Sequence, residues 1–326
     1  MQKLSSLFIS LFITAAAAAQ TDSAVAKLMS SMDEKTPAAK TSTPVFYSQK
    51  LINSNTVEVL HKGLLEFKVV HNFGDAAGAN GGIKHFFGLD GGRFDVKIAF
   101  QAGLTDKLNV LVARTKGAGN VTQLVETGIK YQFLKQLDND SKHPLSLTFF
   151  ANMVVSTMPE DKLNSVLVSE NRYVDFSDRL SQMVQVMVAK RFGNISLQLT
   201  PTYVHTNYVV ANDQNGIFAL GAGARIPLSK KFILVADYFH PFRSTASENA
   251  LKSQYAGRYD ENRYDIFGIG FEILTPGHLF HLNFTNTNDL LENRFIPRTF
   301  STWSKGQYRW GFTVARNFSL FRDKKK

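Results

Sequence analysis

The chain has no cysteine, 2 Trp and 9 Pro in 326 residues, and few charges, at 20%. Without cysteine there is no disulfide scaffold, no thiolate zinc or iron–sulfur site and no thiol nucleophile. An anchor of the bacterial lipoprotein type is excluded as well, because it is built on cysteine. Beyond the first two dozen positions no apolar run is long enough for a membrane helix. What is present is 44% hydrophobic residues, with 27 Phe and 10 Tyr, a composition that suits strands better than helices. Lys and Arg exceed Asp and Glu by 37 to 27, giving +10 at neutral pH. The length allows two ordinary domains or one large barrel.

Residues 1–19 read as a secretory signal peptide. Lys3 forms the basic start, Leu4 to Thr14 an apolar core, and Ala15 to Ala19 a small-residue cleavage zone. Export follows, and with it separation from nucleic acid, so the basic excess is not read as a nucleic-acid footprint. Residues 20–60 are expected to form a periplasmic segment, rich in Ala, Ser, Thr and Pro as far as Pro44. Val45 to Leu60 fits either one or two short strands or a segment folded against the end of the main domain.

From Leu64 onward alternation with period two recurs. In Arg93 to Ala102, Phe94, Val96, Ile98 and Phe100 share one face, and Arg93, Asp95, Lys97 and Gln101 the other. Twelve strands are predicted: 64–73, 93–102, 108–115, 124–134, 144–156, 178–191, 195–206, 216–226, 231–240, 263–274, 278–285 and 307–318. Some, such as Lys231 to His240, are apolar on both faces. The gaps between strands alternate between long and short, and turn residues such as Phe192-Gly193-Asn194 occupy short ones. This is the pattern of an all-β, transmembrane, up-and-down antiparallel barrel of about 12 strands, spanning 61–320 and followed by a basic tail, 321–326. An even strand count puts both chain ends on the short-turn side. Phe-rich faces then meet lipid, with Phe73, Tyr203, Tyr238, Tyr264 and Tyr308 suited to interfacial girdles and Phe318 closing the last strand.

Several segments carry a resemblance. His71-Asn72-Phe73-Gly74, Phe86-Phe87-Gly88-Leu89-Asp90, Gly277-His278-Leu279-Phe280 and Thr285-Asn286-Thr287 resemble an outer-membrane β-barrel family, domain-of-unknown-function family 5777. Trp303-Ser304-Lys305-Gly306 and Arg309-Trp310-Gly311-Phe312 resemble its closing loop and last strand. The resemblance covers Val45 to Phe318. It implies a barrel in a Gram-negative outer membrane and brings no activity and no catalytic residues. Asn72 departs from the pattern, where Arg is expected.

The polar strand faces name the candidate lumen lining: Glu66, Lys68, Arg93, Asp95, Lys97, Glu126, Lys130, Arg191, Arg225, Asp237, Asp265, Glu272 and Arg309. Seven are basic and six acidic, so they can pair inside the barrel. They fit a structural network or a solute path, since twelve strands neither fill a barrel completely nor force a wide pore. His278 and His281 lie three apart on a predicted strand and face opposite ways, so they do not form a metal pair. The Gly-rich stretch from Gly78 to Gly92 has no P-loop signature and reads as a loop, or as a constriction anchored by Phe86 and Phe87. No cofactor, metal or catalytic group is expected, and the chain is not read as an enzyme. The expected partners are outer-membrane lipid and lipopolysaccharide, and the barrel-assembly machinery during biogenesis. The leading expectation is a narrow channel or transport component for small solutes. The alternatives are a non-conducting barrel that docks a periplasmic or outer-membrane protein through its loops or N-terminal segment, and an outer-membrane hydrolase.

Overall fold

The protein is described from a computed structural model covering residues 42–77, 82, 94–138, 140–161, 170–255, 262–275 and 277–321. The expected signal peptide, Arg93, most of the Gly-rich stretch with Phe86 and Phe87, and the tail after Phe321 lie outside the described residues. Backbone contacts separate the chain into two units. Met1–Ala39 with Thr275–Gly277 is one, and Lys40–Leu274 with His278–Lys326 is the other. The second unit holds the barrel.

Among the described residues there are twelve strands: β1 (Leu64–Asp75), β2 (Asp95–Gly103), β3 (Leu108–Thr115), β4 (Leu124–Leu134), β5 (Ser146–Ser156), β6 (Leu180–Phe192), β7 (Ile195–Thr206), β8 (Gly216–Pro227), β9 (Phe232–Phe242), β10 (Ile266–Leu274), β11 (Leu279–Thr285) and β12 (Arg309–Ser319). Each pairs antiparallel with its sequence neighbours, and β1 pairs with β12 to close the ring. Closure gives the backbone of every strand a partner on both sides, which is what a strand in an apolar solvent requires. The predicted strands are all present, with ends displaced by three residues at most. Leu64 pairs with Ser319 beside the β2–β3 turn, so both ends of the barrel lie on the short-turn side.

Alternation divides the strands between two environments. Outward residues such as Phe100, Ile129, Phe133, Leu199 and Phe218 are about half exposed and form an apolar belt. Aromatic pairs occur toward the long-loop end, where Phe73 stacks on Trp310 at 4.1 Å and Trp303 on Tyr308 at 4.5 Å. Among the described residues the long loops contain two α-helices that no periodicity announced, α1 (Thr245–Tyr255) and α2 (Glu292–Phe295).

Strands about 4.8 Å apart and tilted by roughly 40° give a twelve-strand barrel a backbone radius near 12 Å. A side-chain layer about 5 Å deep then leaves a bore roughly 14 Å wide. Wall side chains alone cannot fill that space. The chain fills it with two further pieces of itself.

Candidate functional site

The first piece is the stretch before β1. Residues 45–60 enter the lumen from the short-turn side, reverse at 51–54 and return to the same side as a hairpin. Lys50 bridges Asn55, and Leu51 N–H donates to Ser54 O at 2.8 Å. The boundary expected at residue 60, with a separate periplasmic segment before it, is therefore displaced for this stretch. Val45, Phe46, Leu51, Ile52 and Val57 are buried in one cluster with Met183, Met187, Val204, Ile217, Ile233, Val235 and Phe239 of the wall. The inner faces of β6, β8 and β9 carry apolar residues that cover the hairpin, whereas β7 turns Ser196, Gln198, Thr200 and Thr202 inward.

The hairpin backbone forms few bonds within itself, so the wall must satisfy it. Uncharged amides and hydroxyls do much of this. Gln198 Oε1 accepts from Val57 N–H at 3.1 Å, and its Nε2 donates to Asn55 O at 2.6 Å. Gln132 Nε2 and Thr148 Oγ1 both donate to Val57 O, at 3.0 and 2.7 Å. Asn109 exchanges two hydrogen bonds with the backbone of Leu60. At the tip, the Asp237 carboxylate accepts from Asn53 N–H at 2.6 Å, Ser54 N–H at 2.8 Å and Asn53 Nδ2 at 2.8 Å. The approach is close enough to require glycine on the wall. A Cβ on Gly268 would stand 2.6 Å from Asn53 Nδ2, and one on Gly223 2.6 Å from Leu51 Cδ1.

Both legs are clamped where they leave the barrel. Thr43 donates its hydroxyl and N–H to Asp138, which also pairs with Arg191. Lys62 N–H donates to Asp106 at 3.0 Å. The Thr43 hydrogen bonds, aided by Arg191, pull the Asp138 carboxyl below the ordinary carboxylate range. The Lys62 N–H does the same for Asp106. Both clamps are therefore charged at neutral pH.

The second piece enters from the opposite side. The long β11–β12 loop carries α2 inward, burying Leu291, Phe295 and Ile296. The two pieces meet where Lys50 Nζ lies 2.8 Å from Glu292 Oε1. Asn55 Nδ2 donates to the same oxygen at 3.1 Å. The β3–β4 loop closes over this contact. Asp95 accepts from Gly117 N–H at 2.7 Å and Leu290 N–H at 2.9 Å, and Asp289 accepts from Ala118 N–H at 3.2 Å.

The candidate lining residues fall into distinct positions. Glu66 and Lys68 pair on β1 at 2.7 Å, and Lys97 and Glu126 across β2 and β4 at 2.5 Å. Asn152 Nδ2 donates to Glu126 at 2.7 Å. Lys130 Nζ donates to the backbone and side-chain oxygens of Gln49. The Arg225 guanidinium stacks 4.0 Å above the Tyr47 ring. Glu272 meets His281 at 3.0 Å, and Arg309 pairs with Asp75 and donates to Asn286 O. All of these wall residues are buried inside, together with Asp95 and Asp237. Arg191 stands at the short-turn rim.

Asp265 is a correction. It lies on the outer surface, bonded to Tyr238 and to His240 Nδ1 at 2.9 Å. It precedes β10 by an odd number of residues from Glu272, and period two sends the two to opposite faces. Parity likewise puts His281 inside, while His278 stacks beside Phe280 on the outside. Among the described residues no cluster of three or more His, Asp or Glu could hold a metal ion.

The Lys97–Glu126 pair carries a stability prediction. Lys97→Met leaves the Glu126 charge buried and unpaired, and removing one member of a buried pair costs about 3–5 kcal/mol. Denaturant unfolding in detergent is expected to show that loss. Adding Glu126→Gln to Lys97→Met should recover most of it; no recovery would show that the loss is not one of charge pairing.

Several solved structures share the architecture at low identity. A NanC porin matches at 7% identity and a TM-score of 0.45, over 78% of this chain and 100% of its own. A KdgM porin in complex with disordered oligogalacturonate matches at 7% and 0.45, over 78% and 99%. An outer membrane channel from Pseudomonas putida F1 matches at 13% and 0.46, over 80% and 98%. At this level of likeness nothing about solute carries over. No curated protein matches the chain. The family model described as "Membrane bound beta barrel domain (DUF5777)" matches residues 46–318, from within the hairpin through nearly all of the last strand, and the chain belongs to that family.

Proposed function

We propose that the protein is an outer-membrane channel for small solutes, held closed by its own N-terminal hairpin. The observation that carries this reading is the direction of the hairpin. Both legs run to the short-turn side, so the hairpin can withdraw as a unit without threading its chain through the barrel. The inward β11–β12 loop is tied to the wall at the opposite end. A barrel built only to be solid has no need of a removable filling. Most wall groups that bond the hairpin are neutral amides and hydroxyls, with Asp237 and Lys130 the charged side chains among them, and all of these exchange with water when it leaves.

The absence of cysteine makes the test clean. Leu51→Cys with Gly223→Cys places two thiols where a wall Cβ and a hairpin side chain already meet. In planar bilayers the reduced protein is expected to open in discrete steps under voltage. The oxidised protein should stay closed, and reductant should restore the steps. A reduced protein that never conducts, or one whose current ignores oxidation, overturns the gate.

A further inference from the structure

The hairpin does not fill the lumen evenly. It packs on the inner faces of β6 to β9, and leaves space on the other side, against β1, β2, β3, β11 and β12. This residual cavity is small, about 40 Å³, enough for a few waters or one small anion. Its charged lining is of one sign. Lys68 and Lys97 come from the wall, Lys50 from the hairpin and His281 from β11, with Gln101 and Thr313 beside them. Among the described residues no Asp or Glu lines it. The carboxylates that pair with these lysines, Glu66, Glu126 and Glu292, and Glu272 beside His281, take no part in the lining. An ion-pair network built only to fill space would put both signs in the gap. His281 adds an independent sign of a missing occupant. Its Nε2 is engaged by Glu272, while Nδ1 is buried without a hydrogen-bond partner.

We propose that this cavity binds a small anion bearing carboxylate or phosphate groups, and that it forms the anion-selective part of the solute path. Its role in transport rests on the channel reading; binding does not. Lysine ammonium groups donate to anionic oxygens from several directions.

Calorimetric titration of the full chain in detergent, with the hairpin in place, tests this with succinate, inorganic phosphate and neutral 1,4-butanediol. One or both anions are expected to bind and butanediol not. Tighter succinate assigns an organic acid, and tighter phosphate a phosphate compound. Lys68→Gln and His281→Asn should each weaken binding at least tenfold, Lys68→Arg should largely restore it, and Lys190→Gln on the outer face should change nothing. No heat from either anion, or equal binding by every variant, overturns the site. If the substituted barrels do not fold, crystals of the unaltered chain soaked in bromide supply a second reading. An anomalous peak among Lys68, Lys97 and His281 is expected, and an empty cavity overturns the proposal. Failed binding leaves the oxidation test of the gate intact, and a silent gate leaves binding intact.

Discussion

Deleting residues 45–58 should turn a barrel that is closed at rest into one that conducts in discrete steps. The hairpin is the main occupant of a bore roughly 14 Å wide between side-chain layers, and the β11–β12 loop alone reaches only one end of it. The energetics favour a plug that can leave. Burying Val45, Phe46, Leu51, Ile52 and Val57 contributes roughly 10 kcal/mol. About a dozen hydrogen bonds from the wall add about 1 kcal/mol each. Ordering the segment costs about 1.5 kcal/mol per residue, or roughly 20 kcal/mol in all. The opposing contributions nearly cancel, so docked and withdrawn states lie within reach of each other. The deletion leaves every strand pair untouched, and retained heat-modifiable migration on gels would show that the barrel still closes. A folded, hairpin-free barrel that passes no current would refute the channel and favour the alternative of a docking barrel.

The barrel was legible in the sequence because its two constraints are local. Alternation with period two marks each strand, and loop lengths mark the topology; both survive without knowledge of any contact. Charged inward residues were legible for the same reason, and the error at Asp265 came from pairing it with Glu272 across an odd separation. The hairpin was not legible because it breaks the rule that reveals strands. Its side chains point around the lumen in several directions, and its backbone is satisfied by Gln198, Gln132, Thr148 and Asn109 instead of by a neighbouring ladder. Neutral amides on an inward face look like ordinary water-lining residues. One signal was present. Ile233 and Val235 face inward while Phe232 and Leu234 face outward. A strand that is apolar on both faces, in a barrel with lipid outside, must cover something apolar within.

Asp237→Ala should be the single substitution that loosens this plug most. The carboxylate accepts three hydrogen bonds from the hairpin tip, two of them from backbone N–H groups that have no substitute in the closed state. At about 1–1.5 kcal/mol each, the three together are worth roughly 4 kcal/mol. With docked and withdrawn states nearly balanced, losing about 4 kcal/mol shifts their ratio by about a thousandfold. Alanine also leaves no unpaired charge on the wall, so the loss falls on the hairpin and not on the barrel. Hydrogen exchange should show the Asn53 and Ser54 amides losing protection, while paired amides of β9 and β10 keep theirs. Open probability in bilayers should rise in step. Asp237→Asn, which retains one acceptor oxygen, should fall between wild type and alanine on both measures. If the Asn53 and Ser54 amides stay protected in Asp237→Ala, the carboxylate is not what holds the tip. The gate would then be set at the Lys50–Glu292 contact, and Glu292→Gln would be the variant that opens it.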